Sequence, residues 1–173
     1  MVPTIREWSG RLVTNTGFEF DVRPVNEGDE ARLGDFFRHL TPEDLRFRFL
    51  STPKLDQSLI ESMVKVDHDL TERFVALVPR GDTIIASALL ATDPARHTGE
   101  VAVAIRPEYK RRGISWSLLE HVTRYATARG LKQIESIESR DNQAAIELEQ
   151  QMGFTLSPVE GDPALVLVRR DLP

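Results

Sequence analysis

Cysteine is absent from the 173 residues, which removes disulfide staples and thiolate metal sites and fits a reducing compartment. Long apolar runs are absent too. No stretch approaches the length of a membrane span, and the opening MVPTIREWSGR lacks the apolar core of a signal peptide, so a cytoplasmic location is expected by default. The four histidines, His39, His68, His97 and His121, are scattered without ligand spacing, and no metal is expected. Repeats, low-complexity tracts and Pro/Gly/Ser-rich linkers are also missing. The chain is therefore read as one domain over residues 1–173, with residues 1–17 as an N-terminal extension that supplies a hairpin strand. A formal charge of −5 disfavours nucleic acid and anionic membrane as partners.

What is present suits a packed globular domain: 40% hydrophobic and 28% charged residues. RLVTNTGFEFDVRPV reads as two extended runs joined by Asn15-Thr16-Gly17, a hairpin signal. A helix is expected over roughly Glu27 to Leu40, with Leu33, Phe36, Phe37 and Leu40 at helical spacing. Thr41-Pro42-Glu43-Asp44 starts a second helix, with an N-cap threonine, a proline and first-turn acids. Asp56 caps a third. RFVALVP and TIIASALLA form strands around an Arg80-Gly81-Asp82 turn, and GEVAVAIRP follows as another strand. Then come a helix in SWSLLEHVTRYATARG, the strand LKQIESIES, the helix DNQAAIELEQQMG and a last strand around Ala164–Val168. Gly130 and Gly153 stand where left-handed C-caps belong. This order predicts an α/β (α+β) fold, a mixed sheet covered by helices.

The junction VAVAIRPEYKRRGISWSLL is the sharpest feature. A strand ends at Ile105, Pro107 stops it, and a basic loop with one glycine leads into an amphipathic helix. Such a junction aims unpaired backbone N–H groups and a helix dipole at one point, which suits phosphate. Gly113 lets backbone approach a ligand or take up positive φ. Lys110, Arg111 and Arg112 add counter-charge. An ordinary basic strand-to-helix turn would have the same spacing. The loop is neither a Walker motif nor a dinucleotide fingerprint.

Lys110-Arg111-Arg112-Gly113-Ile114-Ser115 resembles motif A of the GNAT acetyltransferase superfamily, Q/R-x-x-G-x-G/A, with lysine at its first position and serine at its last. Asn142 to Phe154, N-Q-A-A-I-E-L-E-Q-Q-M-G-F, is similar to the family's N-x-x-A-x-x-L-Y-x-x-x-G-F. The resemblance covers roughly Phe18 to Ser157. It implies a mixed, mostly antiparallel sheet flanked by about four helices, with an N-terminal hairpin. It also implies N-acyl transfer, with acetyl-CoA as co-substrate and no metal. Backbone groups of Val103, Ala104 and Ile105 would pair with the pantetheine arm. The amides from Arg111 through Ile114 and Ser115 to Trp116 would hold the pyrophosphate. Asn142 would lie beside the thioester, although the N-cap of its helix needs such a residue anyway.

Attack by an amine also requires the ammonium to lose a proton. Glu100, Ala102 and Ala104 share one face of the strand, and the family often places a glutamate base near it, so Glu100 is the candidate base. A solvated strand-end glutamate would look the same. The family's tyrosine is replaced by Glu149, so no general acid carries over. LTPEDLRFRFL, the DHDL loop and the FVALV strand resemble, more narrowly, the catalytic domain of bacterial protein-lysine acetyltransferases. The acceptor is thus a protein lysine or a small-molecule amine, with a non-catalytic acyl-CoA-binding module as the remaining alternative. Arg46, Arg48 and His68 are residues that could reach it, and a homodimer is left open.

Overall fold

The computed structural model describes residues 5–173; Met1 to Thr4 of the expected N-terminal extension lie outside them. Among the described residues, eight strands form one sheet in the order β1-β2-β3-β4-β5-β6-β8-β7. Strands β1 (Gly10–Val13) and β2 (Glu19–Pro24) form the expected hairpin about Gly17, whose φ is 84°. Three helices then cover one face: α1 (Glu30–Arg38), α2 (Pro42–Phe49) and α3 (Gln57–Val64). Strands β3 (Thr71–Leu77), β4 (Ile84–Thr92) and β5 (Thr98–Ile105) continue the sheet antiparallel. Helix α4 (Ile114–Ala128) crosses the opposite face, and β6 (Gln133–Ser139) returns parallel to β5. Helix α5 (Gln143–Gln151) precedes β7 (Thr155–Val159) and β8 (Asp162–Asp171). The architecture is a mixed α/β sheet, mostly antiparallel, with five α-helices among the described residues where about four were expected.

The central strands read as near-continuous apolar runs because both faces are covered. On one side Phe20, Phe74, Ala88, Leu90 and Val101 pack against Leu118, Val122 and Tyr125 of α4. On the other, Val75, Leu77 and Ala104 meet Leu33, Phe36 and Phe37 of α1 and Ile60 and Val64 of α3. Helix α2 starts as its sequence dictates: Thr41 Oγ1 accepts from the Asp44 amide at 3.0 Å. Gly130 and Gly153 take φ of 84° and 93° as C-caps, and Phe154 packs back into the core.

Two expectations need correction. The helix expected from Glu27 opens as a short 3₁₀ turn, Glu27–Asp29, because the Asp29 carboxylate bonds back to the Asn26 amide. The last strand is a hairpin rather than one short run. Strand β7 was missed because its residues are almost all exposed and include Pro158, which a sheet tolerates at an edge.

Asp29 is fully buried and holds the start of α1 to β2. It accepts both Arg23 guanidinium nitrogens at 2.7 Å and one from Arg32 at 3.3 Å. Burial pushes its carboxyl up, but the bonds from Arg23 and the Asn26 amide outweigh this and leave it below the usual carboxylate range. Its contribution is therefore present above that range and is lost as pH falls through the lowered value. Asp29→Ala should cost about 3 kcal/mol in urea unfolding, since it strands a half-buried guanidinium. Asp29→Asn should flatten the acid limb of stability against pH.

Candidate functional site

The site is created by a parting of strands. β5 and β6 pair only through Thr98–Gln133, Gly99–Ile134 and Glu100–Glu135. Beyond Glu100, β6 follows β8 to Ser139 while β5 stays with β4 to Ile105. The Arg106 amide donates to Ile85 O at 2.8 Å, on the β4 side. Backbone groups alternate along an antiparallel pair, so Val101, Val103 and Ile105 turn their N–H and C=O away from β4, into the gap. Ala104 faces β4 with its backbone, which narrows the expected Val103–Ile105 contact to its two outer residues.

The gap opens into a cleft of about 290 Å³, a size that suits a narrow extended chain. One wall is β5 from Val101 to Ile105; the other is Ser136, Ile137 and Glu138 of β6 with Ala145, Leu148 and Glu149 of α5. Phe47 and Arg48 of α2 line a further side. At the C-terminal end of β5 the cleft meets the basic loop and the start of α4, where Lys110, Arg111, Gly113, Ile114, Ser115 and Trp116 line it. Among the described residues no side chain caps α4, so its first-turn amides face this end of the cleft uncapped. A diphosphate fits such a set of donors, and the free edge of β5 fits an amide-bearing arm.

The loop is held from two sides. Lys110 Nζ donates to Asp44 Oδ1 at 2.7 Å, tying it to α2. Thr16 Oγ1 donates to Arg112 O at 2.7 Å, tying it to the hairpin turn. The Arg112 side chain packs against two rings. Its guanidinium lies 5.2 Å from the Phe18 ring and 5.0 Å from the Tyr109 ring, and the residue does not line the cleft. Gly113 departs in part. Its φ is 83°, but a Cβ there would meet Asn15 Oδ1 at 2.6 Å and Thr14 Cβ at 3.0 Å. The close approach it permits is to the hairpin turn.

Asn142 does not cap α5. Its side chain lines the cleft and donates to Glu138 Oε2 at 3.4 Å. Glu100 stands at the last β5–β6 pair, exposed and just outside the cleft wall. Its face of β5 also carries Ala102 and Ala104 and looks toward Arg48. Burial pulls Arg48 below its ordinary value, and the charge of Glu100 pushes back. Arg46 is exposed on α2 away from the cleft, and His68 pairs with Glu72 at 2.9 Å in a separate place. Sequence reasoning missed Asp44, Phe47, Ser136, Glu138 and the place of Glu149 in the cleft wall. A signal existed for the last: Glu149 stands with Ala145 and Met152 at i, i+4 and i+7, a glutamate in a buried stripe.

Comparison with known proteins identifies the family. Residues 35–154 match the profile of the Acetyltransferase (GNAT) family, and the chain belongs to that family: it is an acyl-CoA-dependent N-acyltransferase. An acetyltransferase of Pseudomonas aeruginosa is 29% identical over 136 residues, covering 77% of this chain and 73% of that protein. The acetyltransferase Pat of Mycolicibacterium smegmatis is 28% identical over 161 residues, 91% of this chain but 47% of the relative, so the chain spans about half of that protein. The GNAT domain of S. lividans PAT superposes with a TM-score of 0.89 at 23% identity, covering 98% of this chain and 100% of that one. Spermidine N-acetyltransferase from Vibrio cholerae, in complex with CoA and spermine, superposes at 0.73 with 16% identity over 88% and 95%. Likeness at these identities shows the fold.

Gly113→Ala should cost about 1–3 kcal/mol in urea unfolding, the strain of a non-glycine residue at positive φ, with the hairpin contact displaced as well. Weaker coenzyme A binding should accompany it, read by calorimetry.

Proposed function

We propose that this chain transfers an acetyl group from acetyl-CoA to a lysine ε-amine presented by another protein, by direct attack within a ternary complex. The observation that carries the acceptor class is the setting of Glu100. It is exposed where β5 and β6 close, just outside the cleft wall and within electrostatic reach of Arg48 on α2. Small molecules are generally enclosed by their sites, whereas a lysine on a protein surface brings its own bulk and needs only a mouth. The full-length superposition on the GNAT domain of S. lividans PAT, and the Pat relative, support the same reading.

In this reading the pantetheine arm lies along the free edge of β5, hydrogen-bonded to Val103 and Ile105 as an added strand. The pyrophosphate sits on the uncapped amides at the start of α4. The arm runs from that loop back toward Val101, so its thioester end lies where the strands close and Glu100 stands. Glu100 takes the proton that the ammonium must lose, and the amine attacks the acyl carbon.

Thiol release from acetyl-CoA tests the acceptor: a panel of lysine-bearing proteins and peptides should be acetylated faster than spermidine or free amino acids. Faster turnover of the polyamine would reverse the assignment. Acetyl-CoA should also raise the melting temperature, by about 2.7 kcal/mol of added stability at a hundredfold excess over Kd. Glu100→Gln should lower the acylation rate about 10²–10⁴-fold at neutral pH with coenzyme affinity unchanged. That deficit should shrink toward pH 10, as more amine arrives already deprotonated. A variant within threefold of the parent, with chemistry rate-limiting, would leave Glu100 as an ordinary strand residue.

A further inference from the structure

Two carboxylic acids meet in the cleft wall, and acyl transfer as described so far uses neither. Glu149, on α5, is 4% exposed and lines the cleft. Its Oε1 is buried without a hydrogen-bond partner among the described residues. Glu138, on β6, lies within hydrogen-bonding reach of it. The two are not equivalent. Glu138 receives donors at both oxygens: Ser136 Oγ at 2.8 Å on Oε1 and Asn142 Nδ2 at 3.4 Å on Oε2. Glu149 receives none there. Donors stabilise the ionised form of an acid, and burial without donors disfavours it.

The placement of donors therefore decides which member carries the proton. A buried carboxyl beside a second carboxylate does not ionise at modest cost, and Glu138, half-buried, is the better solvated of the two. Burial first, and then the charge and hydrogen bond of Glu138, push the Glu149 carboxyl far above the usual carboxylate range. The other titratable groups lining the cleft are Asp44 and Arg48 on α2 and Tyr109, Lys110 and Arg111 on the loop; the charged group acting on Glu149 is Glu138. Lys110 is already paired with Asp44. At neutral pH the pair thus holds one proton, on Glu149, with an O–H group available in a cleft that otherwise offers few acids.

Acyl transfer creates a need for such a group. When the amine nitrogen bonds to the acyl carbon, the C–S bond breaks and its electron pair leaves on sulfur. A thiolate departs more easily if a proton meets it. We propose that Glu149 is the proton donor to the departing coenzyme A sulfur, and that Glu138 is a positioning residue that keeps the proton on Glu149. The proton moves from the Glu149 carboxyl to sulfur, giving the free thiol. Glu149 is reloaded from solvent when the thiol leaves the cleft; the ammonium gives its first proton to Glu100, and the second leaves the nitrogen to solvent as the amide forms. Ser136 and Asn142 belong to the same device, since they donate to Glu138 and leave Glu149 without a donor.

This inference rests on the acyltransferase reading, so its test must separate the two. The parent, Glu149→Gln and Glu138→Gln are compared in single-turnover acetyl transfer across pH 6 to 10, with acetyl-CoA affinity measured by calorimetry. Glutamine matches the neutral carboxyl in shape, and the fold should survive; an unchanged circular dichroism spectrum checks this. In the ligand-free parent, carboxyl carbon resonances should show Glu149 protonated at pH 7. Glu149→Gln should lower the chemical step about 10²-fold or more with acetyl-CoA affinity within threefold, and should abolish the alkaline fall of the rate. Glu138→Gln removes the neighbouring charge, so the alkaline limb should move to lower pH by about one unit. A Glu149→Gln rate within threefold of an active parent, or a Glu149 resonance ionised at pH 7, overturns the donor role. A parent that transfers no acetyl group overturns the acyltransferase reading, and the donor role with it.

Discussion

Everything in the site follows from two strands that stop pairing. Three residue pairs join β5 to β6, and the strands then follow different neighbours, β4 on one side and β8 on the other. Unpaired backbone N–H and C=O groups are costly to bury and must find partners. The parting leaves such groups at Val101, Val103 and Ile105 on the wall of a narrow cleft, over roughly 13 Å of strand. An extended ligand with amide groups of its own can satisfy them as a neighbouring strand would.

The ends of the cleft are defined by contacts distant in sequence. The basic loop is braced against α2 by Lys110–Asp44 and against the hairpin turn by Thr16 and the Arg112 carbonyl. The hairpin is thus part of the site, because it sets the conformation in which the loop points its amides. At the closed end the charges are sorted by burial: Glu100 is solvated on one side of the sheet, and on the other Glu149 is buried beside the half-buried Glu138. A solvated carboxylate accepts a proton and an enclosed carboxylic acid keeps one. That division matches the two proton transfers of amine acylation.

Much of this was legible in the chain. Asn15-Thr16-Gly17, Thr41-Pro42 and Gly130 marked a turn, a helix start and a C-cap, because each requirement is local. The strand-loop-helix junction was legible for the same reason. The parting of β5 and β6 was not, since register between strands distant in sequence leaves no local trace. Lys110 and Arg112 carried the right charge, yet their partners, Asp44 in one case and the rings of Phe18 and Tyr109 in the other, come from elements some 66 to 94 residues earlier or from the loop itself. Glu138 read as one more polar residue on a strand. Its meaning comes from facing Glu149, and only the fold brings them together.

The central claim is that the free edge of β5 receives the pantetheine arm. Amide hydrogen exchange read residue by residue, with and without saturating coenzyme A, measures this directly. The amides of Val103 and Ile105 should gain strong protection on binding, while Ala102 and Ala104, already bonded to β4, should change little. Saturation with coenzyme A that leaves Val103 and Ile105 exchanging at their ligand-free rates would contradict the account.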